Sequence, residues 1–162
     1  NIPGDAIVFG RYGGFNIFDI DFAHEAVRNV AKTRKNVYFL FANTQKFCNE
    51  PNVIHLDTII DLNEKVKFIN TCDAMLHARR RGETFGIACG EFSIKNKPVI
   101  TYGLSPEQCH LDILKDKCIK YYNISDLNKI LMSFEPSNNN WDAYSLEYTP
   151  EKVMQKFKTV FL

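Results

Sequence analysis

The chain has no long hydrophobic run. Its longest uninterrupted apolar stretch, VYFLFA at 37–42, is about six residues, against the roughly 20 that a membrane-crossing helix requires, so no membrane span is expected. No secretory leader pattern is visible. Basic residues gather into no long stripe and the formal net charge is +1, which argues against a dedicated nucleic-acid binder. The five cysteines, at 48, 72, 89, 109 and 118, are odd in number and contain no C-x-x-C pair. A disulfide framework or zinc site is therefore not expected; buried thiols in a reducing compartment, the cytoplasm, are. The histidines at 24, 55, 77 and 110 show no metal-ligand spacing either. There is no internal repeat. The first residue is Asn1 rather than an initiator methionine, so a piece of a longer protein is expected.

What is present suffices for one globular domain: 162 residues, of which 45% are hydrophobic and 24% charged. Short β-branched or aromatic runs predict strands at 6–9, 37–42, 53–56, 74–77, 99–101 and 119–122. Helical patterns fall between them, at 21–33, 61–71, 85–95, 106–115, 125–134 and 150–161. Several strands are almost continuously apolar, as when both faces of a parallel sheet are covered. The alternation predicts an α/β, Rossmann-like, doubly wound parallel sheet. One joint fits poorly: NTQKFCNEP at 43–51 is short for a parallel crossover and lacks a helical period. EPSNNN at 135–140 is the only linker-like stretch, which divides the chain into a domain over 1–140 and a tail over 141–162. The tail ends in a well-signalled helix, with Thr149 as N-cap, Pro150 at the first position and Glu151 in the first turn. Its stripe of Val153, Met154, Phe157, Val160 and Phe161 would pack on this domain or on a partner domain.

The stretch RRRGETFGIACGEFS at 79–93 carries the chemistry. A strand ends near His77 and a helix is predicted to start near Thr84, so these residues fall beyond the carboxyl end of a strand, where open parallel sheets bind ligands. The unpaired N–H groups of a first helical turn make an anion site, and Gly86 would leave room for a phosphate. Glu83 and Glu91, at eight residues' separation on a helix, would stand about 12 Å apart along its axis, whereas a glycosidase pair needs about 5–9.5 Å. Two polyols flanking one anion suit that spacing better, with Glu91 on a ribose and Glu83 on a second ring. A nucleotide sugar has that layout. The same residues have plainer uses: a glutamate in a first turn stabilises a helix through its dipole, Glu91 could be simple surface, and glycines allow close packing.

GETFGIACGEFSIKNKPVIT resembles the donor-binding motif of retaining GT-B glycosyltransferases of the family 4 type: a Glu, seven residues, a Glu, then a run to KPV and a strand. Upstream, LNEKVKFINTCDAMLHARRRGE resembles the family's helix, Asp-bearing break and strand, and IVFGRYGG its first strand and Gly-Arg turn. The resemblance implies one half of a GT-B fold, with a missing N-terminal acceptor domain and a donor that is a nucleoside-diphosphate sugar. It implies that Glu83 contacts the transferred sugar, Glu91 holds the ribose hydroxyls, and the backbone of Thr84, Phe85, Gly86 and Ile87 meets the diphosphate and sugar. Arg11 would neutralise the diphosphate leaving group, with Gly13 and Gly14 of the same turn beside the donor. The acceptor (glycan, protein or lipid) is left open, and no metal or other cofactor is implied. Two departures stand out. The lysine usual a few residues after the arginine is missing from YGGFNIFDID, so either the triple arginine supplies the second charge or leaving-group stabilisation is weaker than usual. The usual Pro-Ser before the first Glu is replaced by HARRR, which brings His77 and Arg79 toward the donor.

Asp-Ile-Asp at 19–21 imitates a metal-binding Asp-x-Asp, but an aspartate before a predicted helix more often caps it. GRYGG is not G-x-G-x-x-G, and the second strand ends at Ala42-Asn43 without an acidic residue for an NAD ribose. The competing reading is a non-catalytic Rossmann-like module that binds a nucleotide or a protein.

Overall fold

A computed structural model describes residues 2–162. Six parallel strands form the main sheet: β1 (Ile7–Arg11), β2 (Val37–Ala42), β3 (Val53–Leu56), β4 (Ala74–His77), β6 (Val99–Tyr102) and β8 (Cys118–Tyr121). Two short pieces, β5 (Gly82–Glu83) and β7 (Glu107–Gln108), pair with each other in parallel beside it. The main order is β3-β2-β1-β4-β6-β8, so the chain runs outward from β1, returns, and continues on the other side of it. The expected α/β Rossmann-like sheet is therefore observed, and its topological switch point lies between β1 and β4. Loops leaving those neighbours diverge there and open a crevice.

Alternation along each strand splits the core in two. Ile7 and Phe9 of β1, Phe39 and Phe41 of β2 and Leu76 of β4 face one side. There they meet α1 (Asp21–Thr33), through Ala23, Val27 and Val30, and α5 (Ile124–Ser133), through Leu127 and Leu131. Val8, Leu40 and Met75 face the other side. They meet α2 (Leu62–Thr71) at Phe68, α3 (Ile87–Ile94) at Phe92 and α4 (Cys109–Leu114) at Leu114. The period of two thus builds both faces. Cys48, Cys72 and Cys89 are buried thiols as expected, while Cys109 and Cys118 are partly exposed.

The ill-fitting joint is real. β3 pairs in parallel with β2, and residues 43–52 cross between them without a helix. An aromatic plug replaces it: the Phe47 ring stacks on His24 at 4.3 Å, and Arg28 Nη2 donates to the Phe47 carbonyl at 2.9 Å. Asn52 Nδ2 donates to the carbonyls of Ala31 and Val37, closing the loop on α1. An edge strand needs little cover, and one ring with its tethers supplies it.

Helix starts differ from expectation in two places. Residues expected to open the fourth helix form β7 instead, because the Glu107 N–H donates to the Arg81 carbonyl and 107–108 ladder onto β5. α1 is capped by neither aspartate: its N-cap is Ile20, buried in the core and without a side-chain cap. Asp19 Oδ1 instead accepts from the Arg80 N–H at 2.7 Å.

The polar stretch at 135–140 is fastened to α3's end: Asn96 donates to the Asn139 carbonyl and accepts from the Trp141 N–H. Beyond it Ala143 and Tyr144 are buried in the second core, Tyr144 as the first residue of a 3-10 turn over Tyr144–Leu146. α6 (Pro150–Phe161) begins as expected, with the Thr149 side chain accepting from the Lys152 N–H and Pro150 in its first turn. None of its residues is buried, and its apolar stripe faces outward.

Candidate functional site

A cavity of about 400 Å³ opens at the switch point, within the size range of ligand pockets. Arg11 and Gly13 reach it from the end of β1, His77 and Arg79 from the end of β4, and Glu83 from β5. Thr84, Phe85, Gly86 and Ile87 line it at the start of α3, and Glu91 lies one turn further along. The residues singled out in the sequence are thus brought together. Gly14 is the exception: it does not line the cavity, and its carbonyl accepts from Arg11 Nη2 at 2.7 Å.

Arg11 is 3% exposed, yet none of its hydrogen-bond partners among the described residues is a carboxylate. Its guanidinium donates to the Asn43 carbonyl at 3.0 Å, to the Thr44 hydroxyl and to the Gly14 carbonyl. Burial pulls it down to about 10, with the more distant Glu83 and Asp19 opposing, so the group stays cationic at neutral pH. A buried cation bonded only to neutral acceptors is costly unless an anion comes to it.

α3 supplies a second attraction for anions. Its N-cap, Gly86, has φ +80° and no side-chain cap, and the first intrahelical amide to be satisfied from this cap is that of Gly90, donating to the Gly86 carbonyl. The preceding N–H groups are the helix's own unpaired donors. Gly86 also has a backbone reason to be glycine. Its left-handed conformation disfavours any side chain, and a Cβ there would lie 3.1 Å from the His110 Cβ and 3.3 Å from the Tyr144 hydroxyl. Tyr144 in turn donates to the Phe85 carbonyl at 2.6 Å, so the tail fixes the turn that opens α3.

The two carboxylates are held differently. Glu83 is not helical, so the axial spacing estimate does not apply to it. Its Oε2 accepts from Arg79 Nη1 at 2.7 Å and its Oε1 faces His77 Nε2 at 3.2 Å. Burial pushes the Glu83 carboxyl up, but the hydrogen bonds from His77 and Arg79 outweigh it and hold the group below its ordinary value. Glu91 accepts from Lys65 Nζ at 2.5 Å and from the Tyr12 hydroxyl. Burial and that bond raise Tyr12 well above the ordinary phenol, so it remains a donor.

Lys65 and Tyr12 were not singled out in the sequence. Lys65 comes from the first turn of α2, and only the placement of α2 and α3 on the same face of the sheet, where Phe68 meets Phe92, brings it to Glu91; Tyr12 follows Arg11 but resembles an ordinary core aromatic, stacked on Phe92 at 5.9 Å. Of the triple arginine only Arg79 lines the cavity, and it is engaged by Glu83; Arg80 and Arg81 are solvent-facing, near Asp21 and Glu107 at 3.7 Å. Lys65 is a further cation on the cavity wall, paired with Glu91. Three cations (Arg11, Lys65, Arg79) against two carboxylates (Glu83, Glu91) leave the cavity net positive.

Beneath the cavity His110 is fully buried, and burial, reinforced by His77, lowers it from 6.5 to about 4 against the pull of Glu83. A folded-state value below the unfolded one means that the unfolded chain binds more protons between these pH values. The stability is full above pH 6.5 and is lost as pH falls toward 4, by roughly 3 kcal/mol in all. Urea unfolding at pH 7 and pH 5 should show the decline, and His110→Gln should flatten it.

No family model and no curated protein matches the chain. Solved structures do. WaaG, a glycosyltransferase involved in lipopolysaccharide biosynthesis, aligns with a TM-score of 0.64 and 18% identity over 81% of this chain and 38% of its own. Anabaena Alr3699/HepE, in complex with UDP and glucose, aligns at 0.75 and 14% identity over 96% of this chain and 48% of its own. The catalytic domain of cholesterol-alpha-glucosyltransferase from Helicobacter pylori aligns at 0.59 and 18% identity over 93% and 92%. The chain therefore spans less than half of the first two proteins. These likenesses establish architecture: the chain has the fold of a Rossmann-like half of a GT-B glycosyltransferase.

Proposed function

We propose that this chain is the donor-binding half of a retaining, family 4-like GT-B glycosyltransferase that transfers a hexose-type sugar from a nucleoside diphosphate to an acceptor (glycan, protein or lipid). The observation that carries the reading is Arg11, a buried cation with no carboxylate among its hydrogen-bond partners, in a cavity shared with the open N-terminus of α3. A diphosphate supplies the missing negative charge. Glu91 and Glu83 then lie to either side for a ribose and a hexose. HepE, similar in fold, is described in complex with UDP and glucose, which supports a nucleotide sugar as the ligand class.

In this reading the bond between the anomeric carbon and the diphosphate oxygen breaks, and its electron pair leaves on that oxygen. Arg11 and the N–H groups of α3, which share the cavity, would stabilise the developing charge. Charge compensation thus falls to protein cations and backbone dipoles rather than to a metal. A second domain would bring the acceptor to the open side of the cavity, and the outward-facing stripe of α6 suits contact with it. The free cysteines fit a reducing compartment such as the cytoplasm.

Calorimetric titration with UDP, GDP and ADP tests the reading, on this chain and on any longer product of the same reading frame. One nucleotide should bind saturably, and Glu91→Ala should weaken it about tenfold, the size of losing hydrogen bonds to a charged group. Glu83→Ala should leave the nucleotide's affinity intact and remove the gain from an attached hexose. Equal loss of nucleotide affinity in both variants would contradict these roles.

A further inference from the structure

Glu83 stands at the end of a buried polar chain. Behind its contact with His77 Nε2 at 3.2 Å, the other ring nitrogen, Nδ1, lies 2.9 Å from Thr101 Oγ1. That oxygen lies 3.1 Å from His110 Nε2. His77, Thr101 and His110 are all buried, and they come from β4, β6 and α4. Parallel pairing sets His77 opposite Thr101, so sheet register holds the first link of the chain.

Counting hydrogens assigns every donor. An ionised Glu83 only accepts, so His77 Nε2 carries the proton facing it. A neutral imidazole has one N–H, which leaves Nδ1 as an acceptor for the single hydroxyl hydrogen of Thr101. The Thr101 oxygen must then accept from His110 Nε2, and His110 Nδ1 is left bare. That nitrogen is indeed buried without a partner among the described residues. An unpaired acceptor is more readily tolerated than a stranded N–H.

We propose that Thr101 and His110 hold His77 in its Nε2–H tautomer, and that His77 is thereby a positioning residue, orienting the Glu83 carboxylate to receive a hydroxyl of the transferred sugar. The proposal rests on the donor-binding reading above. Arg79 alone would not fix that orientation. The terminal torsion of a glutamate is broad, and one donor on one oxygen lets the carboxylate plane rotate. A second donor on the other oxygen, from a ring that cannot move, sets the plane.

Two NMR measurements on the chain test it, with UDP, GDP and ADP and their hexose conjugates as probes at concentrations that reach millimolar affinities. Nitrogen-15 shifts of the rings should report protonated Nε2 and bare Nδ1 for both His77 and His110. The affinity gained from the hexose should fall about tenfold in His77→Leu and in the near-isosteric Thr101→Val, with nucleoside diphosphate affinity unchanged. His77→Gln, whose amide reaches the Nε2 position, should restore most of that gain. A protonated Nδ1 on His77, or an undiminished hexose gain in Thr101→Val, overturns the proposal, and Thr101→Val remains decisive if His77→Leu does not fold. Failure of the unmodified chain to bind any nucleoside diphosphate overturns the donor-binding reading itself, an outcome visible before any variant is made.

Discussion

Arg11→Met is expected to weaken nucleoside diphosphate binding by about 100-fold, the largest functional effect of any single substitution in the cavity. Arg11 lies on the cavity wall as a cation bonded only to neutral acceptors, so on the donor-binding proposal a diphosphate would be the first anion to bond it directly. Removing the guanidinium removes both the charge and a fork of donors. The fold should tolerate the change better than the site does. The Asn43 and Gly14 carbonyls and the Thr44 hydroxyl lose a donor, but the chain no longer bears the desolvation of a buried cation. Arg11→Lys should recover part of the affinity, since a lysine restores charge but cannot reproduce the bidentate geometry. Calorimetry with the preferred nucleotide checks the loss, and thermal unfolding of both variants checks the fold. Wild-type affinity in Arg11→Met would leave the cavity's anion preference to α3 and Lys65.

The largest effect on stability is expected one residue earlier. Gly10 sits mid-strand in β1, where a Cβ would overlap the Cys72 sulfur and lie 3.2 Å from Phe92 Cζ. Cys72 is fully buried at the end of α2, and its thiol donates to the Phe68 carbonyl, so it has little freedom to withdraw. Gly10→Ala should therefore cost about 3 kcal/mol, the upper end of ordinary overpacking. Cys72→Ala removes the colliding sulfur, and the double variant should regain more than half of the loss. Denaturant unfolding of the two single variants and the double measures that coupling. If the two changes are simply additive, the glycine is present for some other reason than this contact. The contact matters to the site because any forced shift of β1 against α2 would displace Arg11 relative to Lys65.

Much of the architecture was legible along the chain because its cause is local. Strands such as VYFLFA announce a sheet buried on both faces, and Thr149 with Pro150 announces a helix start. Where local rules failed, a tertiary contact outweighed them. Residues 107–108 pair with β5 instead of opening a helix, Ile20 takes the cap position from two aspartates because its side chain is buried, and Phe47 replaces a crossover helix.

The candidate site divides the same way. Arg11, Glu83, Glu91 and the turn at 84–87 could be picked out because their spacing along one strand and one strand–helix junction is a sequence pattern. Lys65, Tyr12 and the buried set of Thr101 and His110 carry no such pattern. Their roles depend on which helix lies beside which and on strand register, as in His77 opposite Thr101. The sequence by itself determined an α/β chain with a glycine-bearing junction between a strand and a helix, flanked by arginines and two glutamates. Only the tertiary structure decided which side chains hold the two carboxylates, because hydrogen bonds and ion pairs act over a few ångströms of space, whatever the distance along the chain.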